Sequence, residues 1–299
     1  MSSTALQLIQ QATGEMGLAV PTFVVGSANA DTVQQLALLN AVGYEIQRGF
    51  EWQKNDVEYR FTTAYVTTTG TTTSGSAIIT AIPSTTGLTA RYSVVGTGIN
   101  QDSYVLTNDS ATQITMNQAA TASGTVALNF CQTQYAMPSD FDRPVDRTQW
   151  DKTRHWEMIG PDTAQQWQWL KSGYIATGPR IHWRILGGYF QIWPPLSSAE
   201  YLGFEYISNS WAFTAAGVAK GSFTLDTDTC AFPDRLMVLG LMKKYFEIKG
   251  FDASAYTRDY ESQLNIAKAN DQGSRTLSMA PRLSSILITE ANVPDSIPL

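Results

Sequence analysis

Four carboxylates stand close together in the sequence: Asp140, Asp142, Asp146 and Asp151. A pair of carboxyls flanking a bond is what glycoside hydrolysis needs, one as the acid and the other as base or nucleophile. Arg143, Arg147 and Arg154 are interleaved with them. That context fits a solvated turn with local ion pairs better than a catalytic pair. Asp226 and Asp228, in LDTDTC, resemble a fragment of a calcium loop, but the following glycine and the distant Glu are missing. A plain loop is the expectation there. His155 and His182 share no ligand spacing with Cys131 and Cys230, and no CxxC is present. No structural zinc site is expected, and the two thiols read as buried and free. There is no GxSxG elbow and no glycine loop of the kind that cradles phosphate. These residues point to a protein without catalytic residues, metal or cofactor.

Tryptophan is the second chemistry-bearing type. Trp150, Trp156, Trp167, Trp169, Trp183 and Trp193 crowd one third of the chain. Stacked aromatics can hold sugars or bases. They also serve core and subunit-interface packing, where their area counts most. The packing reading is preferred, with Trp150, Trp156, Trp167 and Trp169 as candidate subunit-interface residues. The same stretch holds Arg143, Arg147, Lys152, Arg154, Lys171, Arg180 and Arg184, a local basic excess in an acidic chain. It could meet a phosphate backbone or an acidic partner, though a scattered solvated surface is the default.

The elements that must position these residues fall into four regions. Leu6, Ile9, Thr13 and Met16 recur at helical spacing after Ser3 or Thr4, and Gly17 stops the run. A second helix starts at Asn29 or Asp31, shows Val33, Leu36, Leu39, Gly43 and Ile46 on one face, and ends at Gly49. The two read as an αα-hairpin. The run FEWQKNDVEYRFTTAYV reads as one strand. Residues 67–129 are rich in Thr, Ser, Gly and Ala, and short apolar segments between turn residues predict a small β-sandwich. Next come a Pro- and Asp-rich loop from Tyr135, a short helix with Pro161 near its first turn, a hairpin at Gly187-Gly188, and a strand with Leu202, Phe204 and Tyr206 inward. Two helices follow. One carries Leu236, Leu239, Met242 and Phe246 and ends at Gly250; the other carries Tyr256, Tyr260, Leu264 and Ala267. Residues 276–299 read as an extended tail with SSILIT as a segment able to add to another protein's sheet edge.

Composition sets outer limits. The chain has 299 residues, 43% hydrophobic and only 15% charged, with a net charge of -6. It can bury a real core, and disorder through high charge is excluded. A general electrostatic nucleic-acid binder needs a basic footprint that this chain lacks. The longest apolar run, Leu236 to Met242, is far short of the roughly 20 residues of a membrane span. The start MSSTALQLIQQ lacks the basic opening and long apolar run of a signal peptide.

The order of elements carries a resemblance. ALQLIQQATGEMGL and ANADTVQQLALLNAVGYEIQRGFEWQ, with Arg48, Gly49, Phe50 and Trp52 closing the second helix, resemble the head-to-tail adaptor proteins of short-tailed bacteriophages (podoviruses), the tail tubular protein A-like family. YAMPSDFDRPVDRTQW and the C-terminal PDRLMVLGLMKKYFEIKGFDASAYTRDYESQLNIAKANDQ look like the later landmarks of that family. The Thr-rich stretch departs from the minimal pattern and resembles small immunoglobulin-like β modules of phage tail proteins. The resemblance implies an α+β protein: a discontinuous helical adaptor core with a β-hairpin region over 1–66 and 130–275, an inserted β domain over 67–129, and the tail. It implies a structural virion protein at the head–tail junction, assembled in the host bacterial cytoplasm. Its partners would be eleven further copies in a dodecameric ring, the portal protein, and the tail nozzle and fibre proteins. Viral DNA would pass through its lumen without sequence-specific binding. The tail residues Leu283, Ile286, Leu287, Ile288, Val293, Ile297 and Leu299 are the candidate portal contacts. A carbohydrate-binding or hydrolysing tail component is the alternative, on the tryptophans and the Asp140–Asp151 carboxylates.

Overall fold

The structure is a computed structural model and describes residues 2–173 and 180–272. The expected tail, with all seven candidate portal contacts from Leu283 to Leu299, lies outside the described residues. Helix α1 (Ala5–Glu15) begins at Thr4, whose hydroxyl accepts from the Gln7 N–H while the Gln7 side-chain oxygen accepts from the Thr4 N–H. That reciprocal capping box satisfies two N–H groups the helix cannot. Helix α2 (Ala30–Gly49) begins at Asn29, whose side chain accepts from the Asp31 N–H at 2.9 Å. A 3-10 turn, Gln53–Asn55, leads into β1 (Asp56–Thr62) and then β2 (Tyr65–Thr72). The single strand expected here is two. Thr63 donates to the Glu200 carbonyl, whereas the Ala64 carbonyl accepts from Gln132, so the chain changes sheets between them.

The Thr-rich stretch supplies β3 (Ile78–Ile79), β4 (Tyr92–Gly96), β5 (Val105–Ser110), β6 (Gln113–Met116) and β7 (Gly124–Gln132). The expected Pro/Asp-rich loop instead contains β8 (Gln134–Ala136), β9 (Phe141–Pro144) and β10 (Trp150–Asp151), followed by β11 (Trp156–Glu157). Local pattern hid them because such short strands depend on distant partners. Helix α3 (Ala164–Lys171) starts beyond Pro161, capped by the Thr163 hydroxyl. Strands β12 (His182–Leu186) and β13 (Tyr189–Trp193) flank Gly187 and Gly188, whose φ values of +60° and +78° meet the left-handed demand of a two-residue hairpin turn. Then follow β14 (Tyr201–Ser208), β15 (Ala212–Phe213), β16 (Ala219–Lys220), β17 (Thr229–Cys230), α4 (Asp234–Lys249) and α5 (Ser254–Gln272).

Among the described residues three large apolar clusters hold this mixed α+β fold together, with a small fourth around α3. In the first, α1, α2 and α5 surround α4. Residues Leu236–Met242 are buried without a break, so α4 has apolar contact all round and not the single stripe expected. The inner row of α1 is Ala5, Leu8, Ile9 and Ala12, with Leu6 and Met16 only partly covered. On α2, Val33 is 50% exposed, and Leu38, Leu39, Val42 and Ile46 face inward. Both helices pack mainly on α4 and not on each other, which corrects the expected hairpin. Gly43 is there because the Trp211 ring lies 2.3 Å from where a Cβ would stand.

The second cluster fills the space between two antiparallel sheets. One has β14 at its centre, with β1 on one side and β9 and β10 on the other; the second runs β12-β13-β8. Trp183, Phe190 and Phe204 stack through it at 5.4 and 4.8 Å between ring centres. The third cluster lies inside the Thr-rich stretch, whose two sheets run β2-β7-β4 and β3-β6-β5. Bridges Thr71–Thr80 and Ser93–Tyr104 join the sheets at both sides. The six strands therefore close on themselves around Ile79, Val94, Ile114, Leu128 and Phe130, where the expected sandwich would leave two separate layers.

Candidate assembly surface

The carboxylates that carried the hydrolase alternative hold separate posts. Asp140 accepts from the Tyr206 and Ser208 hydroxyls at 2.8 and 2.7 Å, tying the approach to β9 onto β14. Its charge and burial together push the Tyr206 phenol well above its usual range, burial being the larger cause. Asp142 pairs with Arg48 at the end of α2, 2.6 Å away. Asp151 is buried and accepts from the N–H groups of Thr153 and Arg154. Beside it, Glu200 is buried and accepts from Arg154 Nε at 2.9 Å. Desolvation pushes the Glu200 carboxyl up, against the guanidinium's pull. Only Asp146 faces a groove, of about 720 Å³, which it lines with Glu51, Asp56, Arg143 and Ile207. Burial, then Glu205, Glu51 and Asp271, raise the Asp56 carboxyl. The ion pairs expected among sequence neighbours are in fact made with partners from elsewhere in the chain.

The basic excess is spent the same way. Arg143 meets Glu51, Arg147 meets Glu157, Lys152 meets Glu58, Arg154 meets Glu200 and Lys171 meets Asp102. Hydrogen bonds from Arg60 and Lys152 hold the Glu58 carboxyl down at about 2. Asp226 and Asp228 are structural. Asp226 accepts from the N–H groups of Val24 and Val25, while Asp228 accepts from Lys220 and from the N–H groups of Thr224 and Leu225. Among the described residues no group of three His, Cys, Asp or Glu could hold a metal ion. His182 Nδ1 lies 3.0 Å from Asp162. Cys131 and Cys230 are free and buried, and burial pushes their thiols up to about 11 and about 12. No helix among the described residues is long and apolar enough to cross a membrane.

The tryptophans divide. Trp167 is 1% exposed and packs with Leu170 and Trp193 inside its own subunit, so as a subunit-interface candidate it is corrected to a core residue. Trp183 and Trp193 are buried too. Trp169, two residues on along α3, is 48% exposed, Trp156 is 36% exposed and Trp150 is partly covered. Other exposed apolar residues escaped the sequence reading. Ile248 and Phe251 stand at the end of α4 nearest the start of α2, where Lys249 pairs with Asp31. Phe23 and Leu225 stand on two loops that Asp226 joins. Their signal in sequence is a bulky apolar residue beside a helix-stopping Gly or Pro, which is too common to single them out.

The β module and the core meet in a cleft between β4–β5 and α3–β13. Lys171 bridges to Asp102 at 2.8 Å and the Arg91 guanidinium lies 4.0 Å from the centre of the Tyr189 ring. Ser93, Tyr104, Gln134, Gln168 and Trp193 line a cavity of about 200 Å³ between them. Most of these candidate groups are thus tied into the fold, and exposed apolar side chains stand on loops and at helix ends and on α3.

The family described as SU10 adaptor protein matches residues 100–283, well over half of the chain. The match opens between β4 and β5, so it takes in the second half of the β module, the two-sheet core and the last two helices; α1 and α2 lie outside it. No curated protein matches the chain. A stretch of that length, holding every buried residue of the inter-sheet cluster and part of the other two, places this chain in the SU10 adaptor protein family.

Proposed function

We propose that this chain is a structural virion protein, the head-to-tail adaptor of a bacteriophage, which forms a ring below the portal, extends the DNA channel and carries the tail nozzle and fibres. The family match over residues 100–283 is the observation that carries the reading. The residues support it by their economy: carboxylates and bases that could act on a substrate are used in holding strands and loops together. In a ring each subunit buries two side faces, and large apolar side chains enrich such faces. Trp169 and Trp156, with the partly covered Trp150, are the subunit-interface residues of this reading. The C-terminal apolar residues from Leu283 to Leu299 are its portal contact. Residues 67–129 are read as a closed β surface module, without catalytic duty. Assembly would take place in the host bacterial cytoplasm, and DNA would slide past an acidic wall without being read.

Mass tests the reading directly. Native mass spectrometry of the purified chain with its portal should give a closed ring, twelve times the 32.8 kDa subunit by the resemblance to podovirus adaptors. Trp169→Glu should leave the subunit folded and lower the ring yield at least tenfold. A subunit that stays monomeric with portal present overturns the proposal.

A further inference from the structure

Among the described residues β1 pairs on one side only, and its backbone register shows which groups face the other. Within an antiparallel pair the N–H and C=O of one residue point to the same side. On β14, the Tyr201 carbonyl accepts from Lys152, the Glu205 carbonyl accepts from Val145, and the Glu205 N–H donates to Thr148, all on the side away from β1. The intervening residues Leu202, Phe204 and Tyr206 therefore bond to their register partners Phe61, Tyr59 and Val57. The alternate residues of β1 are left pointing outward. The N–H and C=O groups of Glu58, Arg60 and Thr62 have no backbone partner among the described residues. They stand about 6.8 Å apart, the repeat a further strand needs. The inward side chains Val57, Tyr59 and Phe61 are only partly buried, so the apolar layer between the sheets also ends unfinished along this line.

The sequence beyond the last described helix holds an apolar segment within reach of this place. The last described helix, α5, ends beside the start of β1, where the Asp271 carboxylate accepts from the Gln53 N–H at 2.7 Å. Residues 273–282 follow and then LSSILIT, Leu283–Thr289, which lies between Pro281 and Pro294 and contains no proline. Every residue of it can donate to a ladder. Ten residues span up to about 35 Å, and seven-residue β1 is about 24 Å long, so the connection can cross to the far end and let the segment return antiparallel.

We infer that Leu283–Thr289 of the same chain adds to the outer edge of β1 as an antiparallel strand, with Ile286 and Ile288 covering Val57, Tyr59 and Phe61. Main-chain bonds to Glu58, Arg60 and Thr62 give the affinity and the two isoleucines fix the face, as in strand addition generally. The segment then has two uses that exclude one another. Seated on β1 it closes an edge that otherwise invites aggregation; released, it is free for a partner. The seating concerns the isolated subunit and stands or falls apart from the ring and portal reading.

Hydrogen exchange of the Glu58, Arg60 and Thr62 amides in the full chain tests it. Exchange should be at least tenfold slower than in the full-length variant Ile286→Asp/Ile288→Asp. Equal rates in the two overturn the inference. Protection that grows with protein concentration overturns it as well, since the strand would then come from a second copy. Arg60→Pro gives an independent reading. It removes an outward N–H and no bond to β14, and should speed tryptic cleavage after Arg282 several-fold. An unchanged cleavage rate also sinks the proposal.

Discussion

Asp228 is 0% exposed and sits at the centre of the loop that leads to β17. Burial alone would raise its pKa. The Lys220 ammonium and the N–H groups of Thr224 and Leu225 outweigh that and hold the carboxyl below the usual range. Removing one partner of a buried pair leaves the other charge uncompensated, at a cost of roughly 3–5 kcal/mol. Asp228→Ala should lower the urea midpoint accordingly at pH 7. The sign with pH follows from the depressed pKa: the carboxylate stabilises the fold above its unfolded value, and that contribution disappears as pH falls through the folded one. The gap between native and variant midpoints should therefore narrow on acidification from pH 5 towards pH 3. A gap that is constant across that range contradicts an ionised Asp228. Asp226, two residues earlier, anchors a different loop through Val24 and Val25, so the short LDTDTC run fastens two segments.

At the scale of elements, the β module raises the sharpest question, because it is both closed on itself and clasped to the core. Its strands β2 and β7 pair from Tyr65 with Cys131 out to Thr72 with Gly124. Cutting between 66 and 67 and between 129 and 130 leaves the base of that ladder in the core and takes the rest away. Deletion of residues 67–129 with a short bridge should preserve cooperative unfolding, since the inter-sheet and helical clusters draw almost nothing from the module. The cost should be modest, because the Lys171–Asp102 pair is partly exposed and such pairs contribute about 0–1 kcal/mol. Circular dichroism together with urea titration checks this. Loss of a cooperative transition would mean that the module is integral to the core.

The whole molecule is acidic, and five of the seven bases named in its third region, Arg143, Arg147, Lys152, Arg154 and Lys171, are matched by acids from α2's exit, β11, β1, the approach to β14 and the β module. Binding to duplex DNA draws its free energy from cations that displace condensed counterions. With these bases already paired, the chain should show no measurable affinity for random duplex at 150 mM salt by fluorescence anisotropy. Micromolar binding under those conditions would contradict a wall past which DNA slides.

Length, a 3.6-residue apolar period and local stop signals determined much of this protein by themselves. The starts of α1 and α2 at Thr4 and Asn29, the end of α4 at Gly250, the hairpin at Gly187-Gly188 and the inward row of β14 are all legible, since caps, turns and alternation act over a few residues. The sequence leaves a Cys131–Cys230 pairing open, and the fold decides it, with both thiols free and buried. Tertiary structure decided the rest. Strands β8, β9 and β10 form because distant β13 and β14 hold them, and no local pattern records a partner that far away. The six strands of the module close because Thr71 meets Thr80 and Ser93 meets Tyr104. Trp167 and Trp169 look alike in sequence, yet α3 turns one into the core and the other outward. Asp140 and Asp142 found their partners through the fold, because such a contact depends on distance in space and the chain sets that distance only when it packs.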